Sequence, residues 1–139
     1  MDWKLEVVVV SVTDVDRAKE FYADKLGFPL DVDHDAGEHF RVVQVTPPGS
    51  ACSIVFGRGL NGGRVGEMKG MTLVVEDAEA ALAHLEQAGV ANSGLQHFVD
   101  GQMTAGPDPQ DADFNTFIFI DDPDGTTWQV QKRAPRSVI

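Results

Sequence analysis

Four histidines, one cysteine, one arginine and a pair of glutamines are where chemistry could reside in this 139-residue chain. His34 and His39 flank an acidic run, Asp31-Val-Asp33-His-Asp35, that begins like a calcium loop. Such a loop needs glycine at its sixth position and glutamate at its twelfth. Ala36 and Val42 stand there instead, so the acids read as a hairpin turn. A metal shared by His34 and His39 would lack a third convergent ligand. Cys52 could be a nucleophile only beside a base; between Ala51 and Ser53 it reads as a small buried thiol. His84 lies among Ala and Glu residues of a helix and reads as surface. His97, between Gln96 and Phe98 in a strand, is the more informative histidine. If Leu95, His97 and Val99 share a concave face, His97 can act as a general base or hydrogen-bond donor near neutral pH. Arg41 faces opposite to Phe40 and Val42 and could hold a ligand carboxylate or phosphate; the competing reading is an ordinary salt bridge. Gln129 and Gln131 alternate with Trp128 and Val130 in the last strand, which gives that strand an amide-bearing face.

Gly57-Arg-Gly59-Leu-Asn-Gly62 spells G-x-G-x-x-G after a strand. A pyrophosphate site also needs a helix N-terminus directly behind the glycines. The chain continues Gly63-Arg-Val-Gly66, so a linker is the better reading.

Composition narrows the classes. The net charge of −11 argues against nucleic acid and anionic membranes, which need cationic footprints, and would suit a cationic small molecule. With one cysteine no internal disulfide can form, which fits a cytoplasmic location. No apolar run approaches the ~20 residues of a membrane helix.

The elements that must position these residues repeat. Leu5–Val12 reads as a strand, and Thr13-Asp14 caps a helix closed by Gly27. Strands over 28–33, 40–46 and 51–56 follow. Gly57–Gly70 reads as a linker. Met71–Val75 is again a strand, Asp77 caps a helix closed by Gly89, and strands follow over 95–99 and on both sides of Asp121-Asp122-Pro123-Asp124-Gly125, with a polar loop at 100–113. Strand, helix and three strands occur twice. The predicted fold class is α+β: two tandem βαβββ modules, residues 1–60 and 70–133 joined by a linker at 61–69, with mixed sheets forming a cleft.

The duplication, the segment VSVTDVDRAKEFYADKLGF and the segment DPDGTTWQVQ resemble the vicinal oxygen chelate superfamily. That group includes glyoxalase I, extradiol dioxygenases and bleomycin-resistance proteins. The resemblance covers about Leu5 to Lys132 and implies a homodimer. It also implies metal-holding positions at Val7, Ser53, Gly70 and Gln129. Val and Gly bring no donor atom, and Ser and Gln are poor ligands for divalent metals. The chain is therefore identified as a member lacking the usual ligands. No cofactor is expected, and a divalent metal is not supported by those positions. The reading is a metal-free protein that binds a small molecule, with a cationic one suited by the acidic charge, in the cleft between the sheets, through Val7, Arg41, Ser53, Met71, His97, Gln129 and Gln131. The alternatives are a metal-dependent lyase, isomerase or dioxygenase of the same superfamily with ligands relocated to His97, His39 or Glu67, and a metal-free acid/base enzyme using His97.

Overall fold

Both helices begin where an aspartate can satisfy their first free N–H groups. The Asp14 carboxylate accepts from Arg17 N at 3.1 Å and that of Asp77 from Ala80 N at 3.0 Å, about 1 kcal/mol of helix stability each. Gly27 and Gly89, at φ 78° and 74°, end them in the left-handed conformation that glycine adopts without strain. The protein is described from a computed structural model over residues 1–134. Its chain divides into two compact units, the first made of Met1–Met68 with Asp122–Thr126, the second of Lys69–Asp121 with the chain from Thr127 onward.

The first unit contains β1 (Val7–Val9), α1 (Val15–Lys19), β2 (Leu30–Asp35), β3 (Arg41–Val45) and β4 (Ser53–Arg58). After α1 the helix widens into a π-helical stretch over Glu20–Lys25, where Leu26 N donates to Phe21 O, five residues back, at 2.9 Å. The sheet order is β1-β4-β3-β2, with β1 parallel to β4 and the other pairs antiparallel. Val43, Val45, Ile54 and Phe56 are buried with Ala18, Phe21 and Tyr22, and the Tyr22 and Phe56 rings lie 5.4 Å apart. The Val, Ile and Phe side chains among them each contribute about 1.5–3 kcal/mol by leaving water.

The turn Asp122–Thr126 is built into this first unit. The buried Tyr22 hydroxyl donates to Asp122 Oδ2 at 2.7 Å. Asp122 Oδ1 accepts from Asp124 N and Thr126 N, both at 2.9 Å. Asp124 in turn accepts from Thr13 N and Oγ1 and from Arg17 Nη2. The sequence expectation of a second module over 70–133 therefore meets a finer division, in which the turn of its last hairpin packs with the first helix.

The second unit contains β5 (Met71–Val75), α2 (Ala78–Gln87), β6 (Gln96–Val99), β7 (Gln102–Ala105), β8 (Phe117–Asp121) and β9 (Thr127–Lys132). Its sheet order is β5-β9-β8-β6-β7, the order of the first sheet with one strand added at the edge. The added β7 corrects the reading of 100–113 as a loop. Val99 pairs with Gln102, and between them Asp100 and Gly101 both have positive φ, 51° and 78°. Asp-Gly with two positive φ values is the turn that matches the twist of paired strands.

The first two residues of the glycine-rich stretch extend a strand. Gly57 and Arg58 belong to β4, and a side chain at Gly57 would collide with the Arg41 carbonyl across the sheet. The absence of a Cβ there permits close strand packing.

Candidate functional site

In a β-ladder, residues directly opposite each other point to the same side and alternate residues to opposite sides. The register of the second sheet therefore sorts its side chains. Trp128 pairs with Ile120 and Met71, and Val130 with Ile118 and Leu73. Trp128, Val130, Ile118 and Ile120 are buried on the side packed by α2. The other side carries Thr72, Val74, Phe117, Phe119, Gln129 and Gln131. Gln96 pairs with Phe117, which adds Gln96 and Phe98 from β6, and with them Met103 and Ala105 from β7.

This face is an aromatic row edged by amides. The rings of Phe98 and Phe117 meet edge-on at 5.9 Å, and those of Phe117 and Phe119 stack at 5.9 Å. Phe98 is 49% exposed and Val74 46%. Phe98 is held in place by Asn115, whose side-chain amide accepts from Phe98 N and donates to Phe98 O. Gln129 Nε2 donates to Thr72 Oγ1 at 2.8 Å, and Gln131 Nε2 donates to Phe114 O at 3.1 Å. Both glutamine amide groups are thereby oriented, and among the described residues their carbonyl oxygens have no partner. Of the strand residues on this face, only Asp121 at the turn end is ionisable, and it accepts from Thr127 Oγ1. Phe119 also borders a depression of about 280 Å³ with Asn92, Ser93 and Asp121.

The sequence-derived residues distribute differently from expectation. Gln129 and Gln131 share the open face, as the alternation indicates. Met71 does not; it pairs with Trp128 on the opposite side. His97 is likewise on the other side, opposite Thr104. It is 6% exposed, and its Nδ1 is 2.7 Å from Gly106 O. His97 and Val99 do share a side, but it is the one α2 packs, and Leu95 precedes the strand. Arg41 points toward α1 in the first unit and is 7% exposed. Its guanidinium forks onto Asp33 (Nε to Oδ1 3.0 Å, Nη2 to Oδ2 2.9 Å) and reaches Asp16 at 2.8 Å. The ordinary salt bridge is what Arg41 makes. Hydrogen bonds from Arg41 first, and then from Lys19, hold the Asp33 carboxyl far below the usual carboxylate range, while Asp33 and Asp16 raise the Arg41 guanidinium further above its already high value.

The positions that the resemblance implies for a metal do not supply one. Val7 and Ser53 are register partners; Ser53 is buried, with its hydroxyl 2.6 Å from that of Thr46. Opposite Gln129 stands Thr72, not Gly70, which precedes β5; counting back from the helix-capping aspartate misplaces the partner by two residues. Relocated ligands are not assembled either. His39 is exposed beside Glu38, Glu67 lies near Arg64, and His97 is bonded as above. Among the described residues no three His, Cys, Asp or Glu side chains come together as a metal-holding group. The donor set in either sheet does not fit a divalent metal.

Sequence reasoning missed the three phenylalanines. A signal was present: with Asp121 and Thr127 closing the hairpin, pairing outward places Phe119 against Gln129 and Phe117 against Gln131.

Residues 4–130 match the model of the Glyoxalase/Bleomycin resistance protein/Dioxygenase superfamily. Among solved structures, a glyoxalase/bleomycin resistance protein from Streptomyces sp. CB03234 is 28% identical with a TM-score of 0.71, covering 93% of this chain and 100% of its own. TnmS3, an antibiotic binding protein from Streptomyces sp. CB03234, is 27% identical with a TM-score of 0.74, covering 96% and 98%. A superfamily member from Sphaerobacter thermophilus DSM 20745, 21% identical at a TM-score of 0.71 over 95% and 98%, shares the fold. Comparison with curated proteins gives no match. No described helix is long and apolar enough to cross a membrane.

Proposed function

The chain belongs to the Glyoxalase/Bleomycin resistance protein/Dioxygenase superfamily, and from that premise we propose that it binds an antibiotic-like small molecule, without a metal, on the open face of its second sheet. The observation that carries the reading is the row Phe98–Phe117–Phe119 flanked by Gln129 and Gln131. Small-molecule sites are mostly apolar and aromatic, with a few placed polar groups that fix orientation. Here the apolar part is the exposed ring of Phe98 and the half-buried ring of Phe119, both packed on the buried Phe117 and able to stack on a flat ligand. The polar part is two amide carbonyls able to accept from ligand N–H or O–H groups.

The ligand that fits this face is neutral and ring-bearing. The net charge of −11 favours a cation at long range, but the face offers it no carboxylate before Asp121. The likeness to TnmS3, an antibiotic binding protein, supports the ligand class. The misfit of the donor positions supports binding without a metal. His97 is held to Gly106 O on the opposite side of the sheet, so no acid/base step is assigned to it.

The test combines metal analysis with a ligand screen. Protein purified without chelator is expected to hold no stoichiometric Zn, Ni, Mn or Fe. A thermal-shift screen of polycyclic, glycopeptide and short acyl antibiotics is expected to return hits among neutral, ring-bearing compounds. Stoichiometric metal, or hits confined to small acids and diols, would overturn the reading.

A further inference from the structure

The glycine-rich segment after β4 carries the chain's one Asn-Gly pair, Asn61-Gly62. We propose that Asn61 is a spontaneous deamidation site, which converts to isoaspartate and aspartate in the folded protein while Asn92 and Asn115 do not. The chain has three asparagines, and the structure treats them differently. Asn92 donates to Val90 O and accepts from Gly94 N. Asn115 brackets the Phe98 backbone. Asn61 is exposed, and neither its side-chain amide nor the Gly62 N–H has a hydrogen-bond partner among the described residues.

The chemistry needs three things: a free carboxamide, an ionisable N–H on the next residue, and no side chain shielding that nitrogen. Gly62 supplies the third, and a larger residue there would have to push the Ser11 side chain aside. A Cβ on Gly62 would sit 2.5 Å from Ser11 Oγ and 3.3 Å from Val9 Cγ1. Asn92 and Asn115 are followed by Ser93 and Thr116, which are bulkier, and their amides are engaged.

The step balances without a cofactor. Solvent base removes the Gly62 N–H proton, and the nitrogen forms a bond to Asn61 Cγ. The Cγ–Nδ2 bond breaks, and ammonia leaves after taking up a proton. The resulting cyclic imide is opened by water. Attack at Cγ breaks the new bond and leaves aspartate. Attack at the main-chain carbonyl breaks the original peptide bond and leaves isoaspartate. The net change is amide plus water to carboxylic acid plus ammonia.

The consequence lies in the neighbouring packing. Ser11 Oγ donates to Gly63 O at 2.5 Å, and Val9, Ser11, Leu60, Gly63 and Val65 line a cavity of about 220 Å³. Isoaspartate at 61 inserts one extra main-chain carbon immediately before Gly62. It displaces Gly62 from Ser11 and Val9 and adds a negative charge one residue from Leu60 in the cavity lining.

The experiment is incubation of the full chain at neutral and at mildly alkaline pH, with peptide mapping by mass spectrometry over time. The expected result is the amide-to-acid mass change at Asn61 alone, in two chromatographic products, faster at the higher pH. The same time course is run on the chain unfolded in urea, where the rate at Asn61 is expected to be similar to the folded rate. Conversion of Asn61 no faster than Asn92 or Asn115 overturns the proposal. So does a folded rate tenfold or more below the unfolded one, because it would show that the fold protects Asn61.

Discussion

Replacing Tyr22 by phenylalanine removes one oxygen from a fully buried ring and leaves the packing against Phe56 intact. The lost group is the donor to Asp122 Oδ2, on a carboxylate that is itself 4% exposed. Asp122 Oδ1 keeps its bonds from Asp124 N and Thr126 N, so the turn retains its shape while Oδ2 loses its Tyr22 donor. A hydrogen bond to a charged group contributes about 1.5–3 kcal/mol, and a stranded buried acceptor costs a similar amount. For a chain of this size that corresponds to a fall in melting temperature of about 5–10 °C. Calorimetry on Tyr22→Phe, Asp122→Asn and the double variant closes a cycle whose coupling should reach at least about 1 kcal/mol. A Tyr22→Phe shift under about 1 °C, with no coupling in the cycle, would refute the assignment of Asp122–Thr126 to the packing of the first helix.

Two further outcomes follow from the same geometry. Covering the exposed half of Phe98 with a ligand removes about 100 Å² of ring surface, an upper bound near 2.5 kcal/mol at about 25 cal/mol per Å². Phe98→Ala is therefore expected to raise the Kd for a screened antibiotic hit about tenfold or more, and to cost less stability than Phe117→Ala, since Phe117 is 6% exposed; titration calorimetry and thermal melts read both, and an unchanged Kd would count against the site. The Asp33 carboxyl is depressed by Arg41 first and then Lys19, so its folded pKa lies below its unfolded value near 4. The stability it contributes is present above that value and is lost as pH falls from about 5 downward. Asp33→Asn should lower stability at pH 7 and flatten the loss below about pH 5, as measured by urea unfolding at stepped pH; an unflattened acid limb would argue against it.

Much of the fold was legible because its signals are local. The aspartates that cap both helices, the glycines that end them and the repetition of strand, helix and three strands each follow from a few adjacent residues. The α+β class followed from their order, and the family from the resemblance carried by the duplication with the segments VSVTDVDRAKEFYADKLGF and DPDGTTWQVQ. The edge strand β7 has a local signal too, Asp100-Gly101, but the acids and prolines that follow it over 107–113 read as a loop. The glycine-rich stretch misled for a different reason. Glycine permits both flexibility and close approach, and only the Arg41 carbonyl beside Gly57 shows which one operates there.

The site divides in the same way. The sequence by itself determined that Gln129 and Gln131 share a face, because side chains alternate along a strand whatever surrounds it. It also gives residue types that are poor metal donors at Val7, Ser53 and Gln129, three of the positions the resemblance implies, since donor quality depends on residue type alone. The side of the sheet on which His97 and Met71 fall was decided by cross-strand register, a relation between segments far apart in the chain. So was the pairing of Thr72, rather than Gly70, with Gln129. The role of Arg41 was decided by the approach of Asp16 and Asp33 from two other elements. Register shifted by one residue exchanges the two faces of a strand, and that is why Phe98 joins Phe117 and Phe119 in one row only once β6 is paired with β8.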